Sequence, residues 1–311
     1  MRNLWIFRLL LMLCVLSPFA AELEAQAIAI EEVAPGIYLR SGLQQEVSAD
    51  NRGHIANIGF ILGNSRVAVI DTGSSYQEGL ALRRAIREVT SLPIAYVILT
   101  HMHPDHVLGA AAFSQDEPAY IGHAQLRDAL RRRESFYLAR AREALGGLAA
   151  GTLVQLPTQG VDISRTLTLD LGGRTLELRA YPTAHTNNDL SVYDNHTRTM
   201  WLSDLLFVER TPVVDGSLLG WLKVMDGLDG LEAERVVPGH GPVVTDWKRA
   251  LADQRRYLAA LASGIREVIR RNGTIQQAIV HVAQEEQPNW LLFSEYHGRN
   301  VTAGFVELEW E

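Results

Sequence analysis

Short apolar runs bounded by turn residues recur along the first half of the chain: GIYLR, NIGFILG, RVAVID and AYVIL. Runs of this length, rich in Ile and Val and flanked by Gly, Asn and Asp, predict strands, and a Gly-Asn-Ser turn joins the second to the third. The segment 77–90 has helical periodicity. AYVIL after it reads as a buried strand. Further strands are predicted at AYIG, RTLTLD, RTLELRAY, LSVYD and TMWLS, with hairpin turns at Gly172-Gly173 and Asp194-Asn195. Helices are predicted over 124–145, 217–229 and 246–271, and again near the C-terminus. Strand groups interrupted by helices in both halves predict two sheets packed face to face with helices outside.

Composition narrows the class. The chain has 311 residues, 47% hydrophobic and 21% charged, which suits one large globular unit. A formal net charge of −7 without a long basic tract argues against nucleic acid as a partner. At the N-terminus, Arg2 and Arg8 precede LLLMLCVL, then Pro18 and small residues lead into AAELEAQA. That order reads as a secretory signal over residues 1–27, cut after Ala20 or Ala27, rather than a membrane span. The mature chain, 28–311, is then expected to be periplasmic or secreted, with no membrane attachment. Cys14, the single cysteine, lies in the removed segment, and Leu13 before it does not fit a lipoprotein signal. Histidine and carboxylate remain as the metal-binding vocabulary.

The stretch THMHPDH concentrates that vocabulary directly after AYVIL: His101, His103, Asp105 and His106. A helix cap uses one acceptor and does not explain three imidazoles. On a tight loop leaving a buried strand, His101 and His103 can face one ion while Asp105 and His106 face another. Downstream, three residues of the right type follow apolar strands. His185 lies in YPTAHTNNDL, Asp204 ends the apolar MWLSD run, and His240 is held by prolines and glycines in VVPGHGPV. A carboxylate in so apolar a run is costly unless a cation neutralises it.

VIDTG, THMHPDH, AHT, SDLLF and PGHG, in that order, resemble the five motifs of the metallo-β-lactamase superfamily. The resemblance implies an α+β fold, a four-layer αββα sandwich, with a dinuclear zinc site at one edge. It implies that His101, His103 and His185 hold one Zn2+ ion, that Asp105, His106 and His240 hold the other, and that Asp204 bridges them. Asp71 would brace the ligand loops. Asp204 stands where one branch has a cysteine ligand, and His103 stands where diiron relatives carry a glutamate. Longer stretches, GHIANIGFILG, FVERTPVVDGSLLGWL and NVTAGFVELEWE, are similar to the quinoprotein relay system zinc metallohydrolases, which implies a periplasmic quinoprotein partner.

The expected chemistry is hydrolysis of an ester, thioester, lactone or amide in a small molecule, with a water ionised between the metals as nucleophile and Asp105 orienting it. A β-lactamase and a mononuclear iron oxygenase acting on sulfur compounds are the rival readings. His54 and Asn57, just before VIDTG, are candidates for substrate contact. His123 is expected to cap or pack, and the basic run RRRESFYLARAR over 131–142 to be a solvated helix face, with docking of an acidic partner or substrate as its alternative. Asn195 and Asn272 begin sequon-like triplets.

Overall fold

The computed structural model describes residues 29–228 and 230–311, so the signal reading for 1–27 lies outside the described residues. One sheet holds seven strands in chain order: β1 (Glu31–Ala34), β2 (Ile37–Arg40), β3 (Ile58–Leu62), β4 (Val67–Ile70), β5 (Ile94–Leu99), β6 (Ala119–His123) and β7 (Gln159–Val161). β1 to β4 pair antiparallel, and β4 to β7 pair parallel. The parallel half is built by crossovers through α1 (Tyr76–Val89), the single turn α2 (Pro104–Val107) and α3 (Leu126–Leu145). The other sheet holds β8 (Leu167–Asp170), β9 (Thr175–Ala180), β10 (Leu190–Asp194), β11 (Thr199–Phe207) and β12 (Arg235–His240), in the order β12-β11-β10-β9-β8. Only β11 and β12 pair parallel there, joined through α4 (Leu218–Leu228). α5 (Trp247–Arg270), α6 (Ile275–His281) and α7 (Phe293–Leu308) complete the outer layer.

Period-two alternation explains the layering. In β4, Ala68 and Ile70 enter the core between the sheets while Val67 and Val69 face the helices. In β11, Trp201 points inward to Val237 and Leu178, and Met200 and Leu202 point outward to the α4–α5–α7 layer. Strands covered on both faces read as continuous apolar runs. The α1 helix starts at Ser75, whose hydroxyl accepts from Glu78 N at 3.2 Å, and it buries Ala81, Leu82, Ala85 and Ile86 at helical spacing. Arg174 clamps the sheets: it donates to both oxygens of buried Asp194 at 2.8 Å and to the Pro35 and Leu62 carbonyls at 2.9 Å.

The expected αββα sandwich is observed, and three strands go beyond the sequence reading. β1 and β7 are short edge pieces. β12 occupies what reads as a proline- and glycine-bounded loop, and its Pro238 is tolerated because β12 is the outermost strand of its sheet. Asp204 does not end a strand: β11 continues to Phe207. Among the described residues, no helix is long and apolar enough to cross a membrane.

Candidate metal centre

The site lies at the sandwich edge where the carboxyl ends of β4 and β5 meet β11 and β12. Asp71 follows β4 with φ of 54°, a left-handed conformation that aspartate tolerates better than most residues. Its carboxylate is the hub of the loops: Oδ1 accepts from Thr100 N at 2.9 Å, and Oδ2 accepts from Thr100 Oγ1 and His106 Nδ1, both at 2.8 Å. Thr72 N and Oγ1 donate to the His106 carbonyl at 2.7 and 3.0 Å, tying the turn after β4 to α2. The left-handed Ser203, with φ of 49°, sits in a register break between β11 and β12 that re-aims the next side chain, Asp204, into the cluster. Gly239 completes the approach, because a Cβ there would stand 1.7 Å from Asp204 Oδ1.

Ligand-type atoms converge in two groups, each within 4.8 Å: His101, His103, His185 and Asp204 in one, Asp105, His106 and His240 in the other. Asp204 lies between them. Its Oδ2 is 3.3 Å from His185 Nε2, 3.6 Å from His101 Nε2 and 3.5 Å from His240 Nε2, and its Oδ1 is 3.1 Å from His106 Nε2. Asp105 Oδ2 is 3.3 Å from His240 Nε2.

The other ring nitrogen of each histidine has an acceptor that fixes its tautomer. His185 Nδ1 donates to the Val213 carbonyl at 2.6 Å, His240 Nδ1 to the Ile55 carbonyl at 2.8 Å, and His106 Nδ1 to Asp71. The single proton of Thr100 Oγ1 goes to Asp71, so Thr100 accepts from His101 Nδ1 at 3.1 Å. His103 is reversed: Nε2 donates to Asp215 at 3.0 Å and Nδ1 turns inward. His103 Nδ1 and His185 Nε2 stand 2.9 Å apart, and although burial opposes it, Asp215, Asp105 and Asp204 raise His103, so a proton shared between these two nitrogens is what a metal ion would displace. His101 Nε2, His106 Nε2 and Asp204 Oδ1 are buried without a hydrogen-bond partner among the described residues. Such a set of inward nitrogen and oxygen donors fits divalent cations.

Electrostatics agree with that fit at His101 and His185, while the carboxylates around His103 and His106 raise both, so a metal ion would have to displace a proton there. Burial, aided by His106, pulls His101 well below the usual histidine range, and burial takes His185 down to about 3 despite Asp204. Both are neutral imidazoles, the form that binds metal. Burial opposes charge on Asp204, yet His106, His240 and His101 outweigh it and hold the carboxyl well below its ordinary value. For Asp105 burial is likewise outweighed, by His106 and His240. His106 goes the other way: Asp204, Asp105 and Asp71 overcome burial and raise it.

The model of the metallo-beta-lactamase superfamily matches residues 51–240, more than half of the chain and every cluster residue. The chain belongs to the metallo-beta-lactamase superfamily. It is 25% identical over 190 residues to the beta-lactamase-like protein 2 homolog of Caenorhabditis elegans, covering 60% of this chain and 56% of that protein. It is 31% identical over 58 residues to a linear primary-alkylsulfatase of Pseudomonas sp., covering 19% of this chain and 11% of that protein. The chain thus spans little more than half the length of the first curated relative and a ninth of the second. The solved sec-alkylsulfatase Pisa1 of Pseudomonas sp. shares the fold with TM-score 0.71 and 19% identity, over 90% of this chain and 50% of that one. For TMB-1 the TM-score is 0.58 and the identity 18%, over 75% and 97%. A member of this superfamily with His and Asp groups able to hold metal is what these findings show.

Within this superfamily site, two sequence candidates sit elsewhere than expected. Asn57 is fully buried and does not face substrate: its Nδ2 donates to the Pro238 and Gly241 carbonyls at 2.8 Å, and its Oδ1 accepts from Gly42 N at 2.9 Å. It fastens the His240 loop to the first sheet. His54 lines a small recess with Arg52, Gln77 and Glu78, apart from the cleft over the cluster, which its buried neighbour Ile55 lines instead. Burial, with Arg40 and Arg52 nearby, pulls His54 down to about 4. His123 accepts from Gln125 N at 3.0 Å and donates to the Tyr181 carbonyl at 3.2 Å, so of the expected cap or packing roles it has the packing one, and Gln125 occupies the cap position of α3.

Other contributors escaped the sequence reading. Asp215 orients His103, and Asp189 accepts from Thr186 N and Oγ1 to shape the His185 loop. The aspartate in HTNND was the available signal for Asp189; Asp215, distant in sequence, offered none. The basic run over 131–142 is not wholly solvated: Tyr137, Arg140 and Ala141 line the cleft. That cleft, about 290 Å³, is also lined by His103, Asp105, Asp204 and His240. A larger groove of about 600 Å³ between β11 and α5 touches none of the seven.

Proposed function

We propose that the protein is an exported dinuclear zinc hydrolase that cleaves an ester, thioester, lactone or amide bond in a small molecule. The observation that carries this is Asp204, within 3.6 Å of histidines from both ligand groups. His101, His103 and His185 would hold one ion and Asp105, His106 and His240 the other, with Asp204 shared and Asp71 locking the tautomer of His106. When bound, zinc pairs acidify a shared water and polarise a carbonyl.

The chain's own residues do the rest. Asp105, whose side chain is 16% exposed, reaches the cleft and is placed to orient the attacking water and take its proton. His101 and His185, neutral by burial, compete for no proton. Phe207, stacked on His240 with ring centroids 5.2 Å apart, dries the floor and strengthens every charge interaction above it. Service beside a periplasmic quinoprotein dehydrogenase is the finer proposal, supported by the resemblance of GHIANIGFILG, FVERTPVVDGSLLGWL and NVTAGFVELEWE to that group.

The test is a panel of aryl esters, aryl thioesters, lactones and nitrocefin, run on chelator-stripped and zinc-reloaded protein. Ester or thioester turnover that appears only after reloading is expected. Turnover that survives stripping, or a protein that carries one iron and consumes oxygen, would sink the reading.

A further inference from the structure

The α3 wall of the cleft has features the hydrolytic chemistry does not use. Tyr137, Arg140, Ala141, Ala144 and Leu145 stand at i, i+3, i+4, i+7 and i+8, so they form one helix face, and all five line the cleft. Tyr137 is 5% exposed, and its hydroxyl has no protein partner among the described residues. The other buried tyrosines are all satisfied: Tyr120 on the Ala110 carbonyl, Tyr181 on Ser191, Tyr257 on His297 and Tyr296 on Glu46. The Tyr137 oxygen is not one of the solvent-sealed atoms that lack a partner among the described residues, so it keeps contact with solvent. Here the open direction is the cleft.

Arginines gather at the same place although the whole chain is acidic, two of them beside carboxylates: Arg140 Nη1 is 2.5 Å from the exposed Glu143 Oε2, and Arg210 Nη2 is 3.7 Å from Glu46 Oε1. Arg140 from α3 and Arg299 from α7 line the cleft from opposite elements, Arg299 packed over the Tyr296 ring at 5.8 Å. Deeper in, Arg210 is buried and held by the Gln45 carbonyl at 3.2 Å and Tyr296 Oη at 2.7 Å. The exposed Arg140–Glu143 pair is weak, so Arg140 and Arg299 can both turn to an anion at the rim of an apolar slot of alanines and leucine, while Arg210 stays held below.

Building on the hydrolase reading, we propose that the substrate is an acyl compound with an apolar body and an anionic end. The Tyr137 hydroxyl donates to a substrate oxygen, the body lies along Ala141 and Ala144, and Arg140 and Arg299 receive the anionic end.

Calorimetric titration of zinc-loaded protein with 4-phenylbutyrate and with its neutral amide reads this without turnover, so it stands apart from the hydrolysis assay. The carboxylate should bind at least about tenfold tighter than the amide, less so in high salt, and the advantage should vanish in Arg140→Ala/Arg299→Ala. Tyr137→Phe, which keeps the ring, should weaken both ligands about threefold to tenfold with zinc content unchanged. Equal binding of the two ligands to the unaltered protein, or a carboxylate preference that persists in the double variant, overturns the proposal.

Discussion

Replacing Gly239 with alanine puts a methyl group where the Asp204 carboxylate lies. The new Cβ would stand 1.7 Å from Oδ1 and 2.8 Å from both Cγ and the backbone N of Asp204. Ordinary contact begins near 3.4 Å, so the carboxylate must retreat by about 1.7 Å, more than half of its 3.1 Å separation from His106 Nε2. A shared ligand displaced that far cannot serve both groups, and zinc affinity should fall at least about 100-fold, with a loss of about 1–3 kcal/mol in metal-free stability from overpacking. Gly227→Ala is the control, since a Cβ there meets nothing within 4 Å. Competition against a chromophoric chelator and thermal unfolding of the stripped protein measure the two effects. Retention of two tightly held zinc ions by Gly239→Ala would refute the geometry argued for Asp204.

Asp71→Asn turns an amide N–H, or a single remaining acceptor, toward the donors of Thr100 and His106; zinc titration should show about 10–100-fold weaker binding at the Asp105–His106–His240 group. Asp215→Ala should weaken zinc binding about tenfold with little change in melting, while Asp215→Asn, which keeps an acceptor for His103 Nε2, should retain most of the affinity. Because the folded-state value of His54 is depressed to about 4, the unfolded chain binds more protons between that value and the ordinary 6.5. Stability is therefore full above pH 6.5 and falls as pH drops through 4; His54→Gln should remove about 1–2 kcal/mol of this acid sensitivity, read as the difference between paired denaturant titrations.

The fold was legible wherever a strand is buried on both faces. RVAVID, AYVIL and TMWLS have only one comfortable environment, and turn residues mark their ends. β12 was hidden because Pro238 and two glycines carry a loop signature, and only the parallel partner β11 makes that segment a strand. The seven ligand-type residues could be read because their side chains are chemically unusual next to apolar strands. Their supports could not. Asp215 reaches His103 across 112 positions, and Asn57 holds a loop more than 180 positions away, distances at which an aspartate or asparagine looks like any other polar loop residue. The same limit applies to α3, whose arginines read as a solvated face until packing shows which of them turn toward the cleft.

The claim beneath all of this is that Asp204 joins two groups of histidines around a pair of metal ions. Elemental analysis of the purified chain, alongside Asp204→Ala, addresses it most directly. The account predicts two zinc ions per chain and the loss of at least one in the variant, with the fold kept. One iron per chain, or an Asp204→Ala protein that still carries two zinc ions, would contradict it.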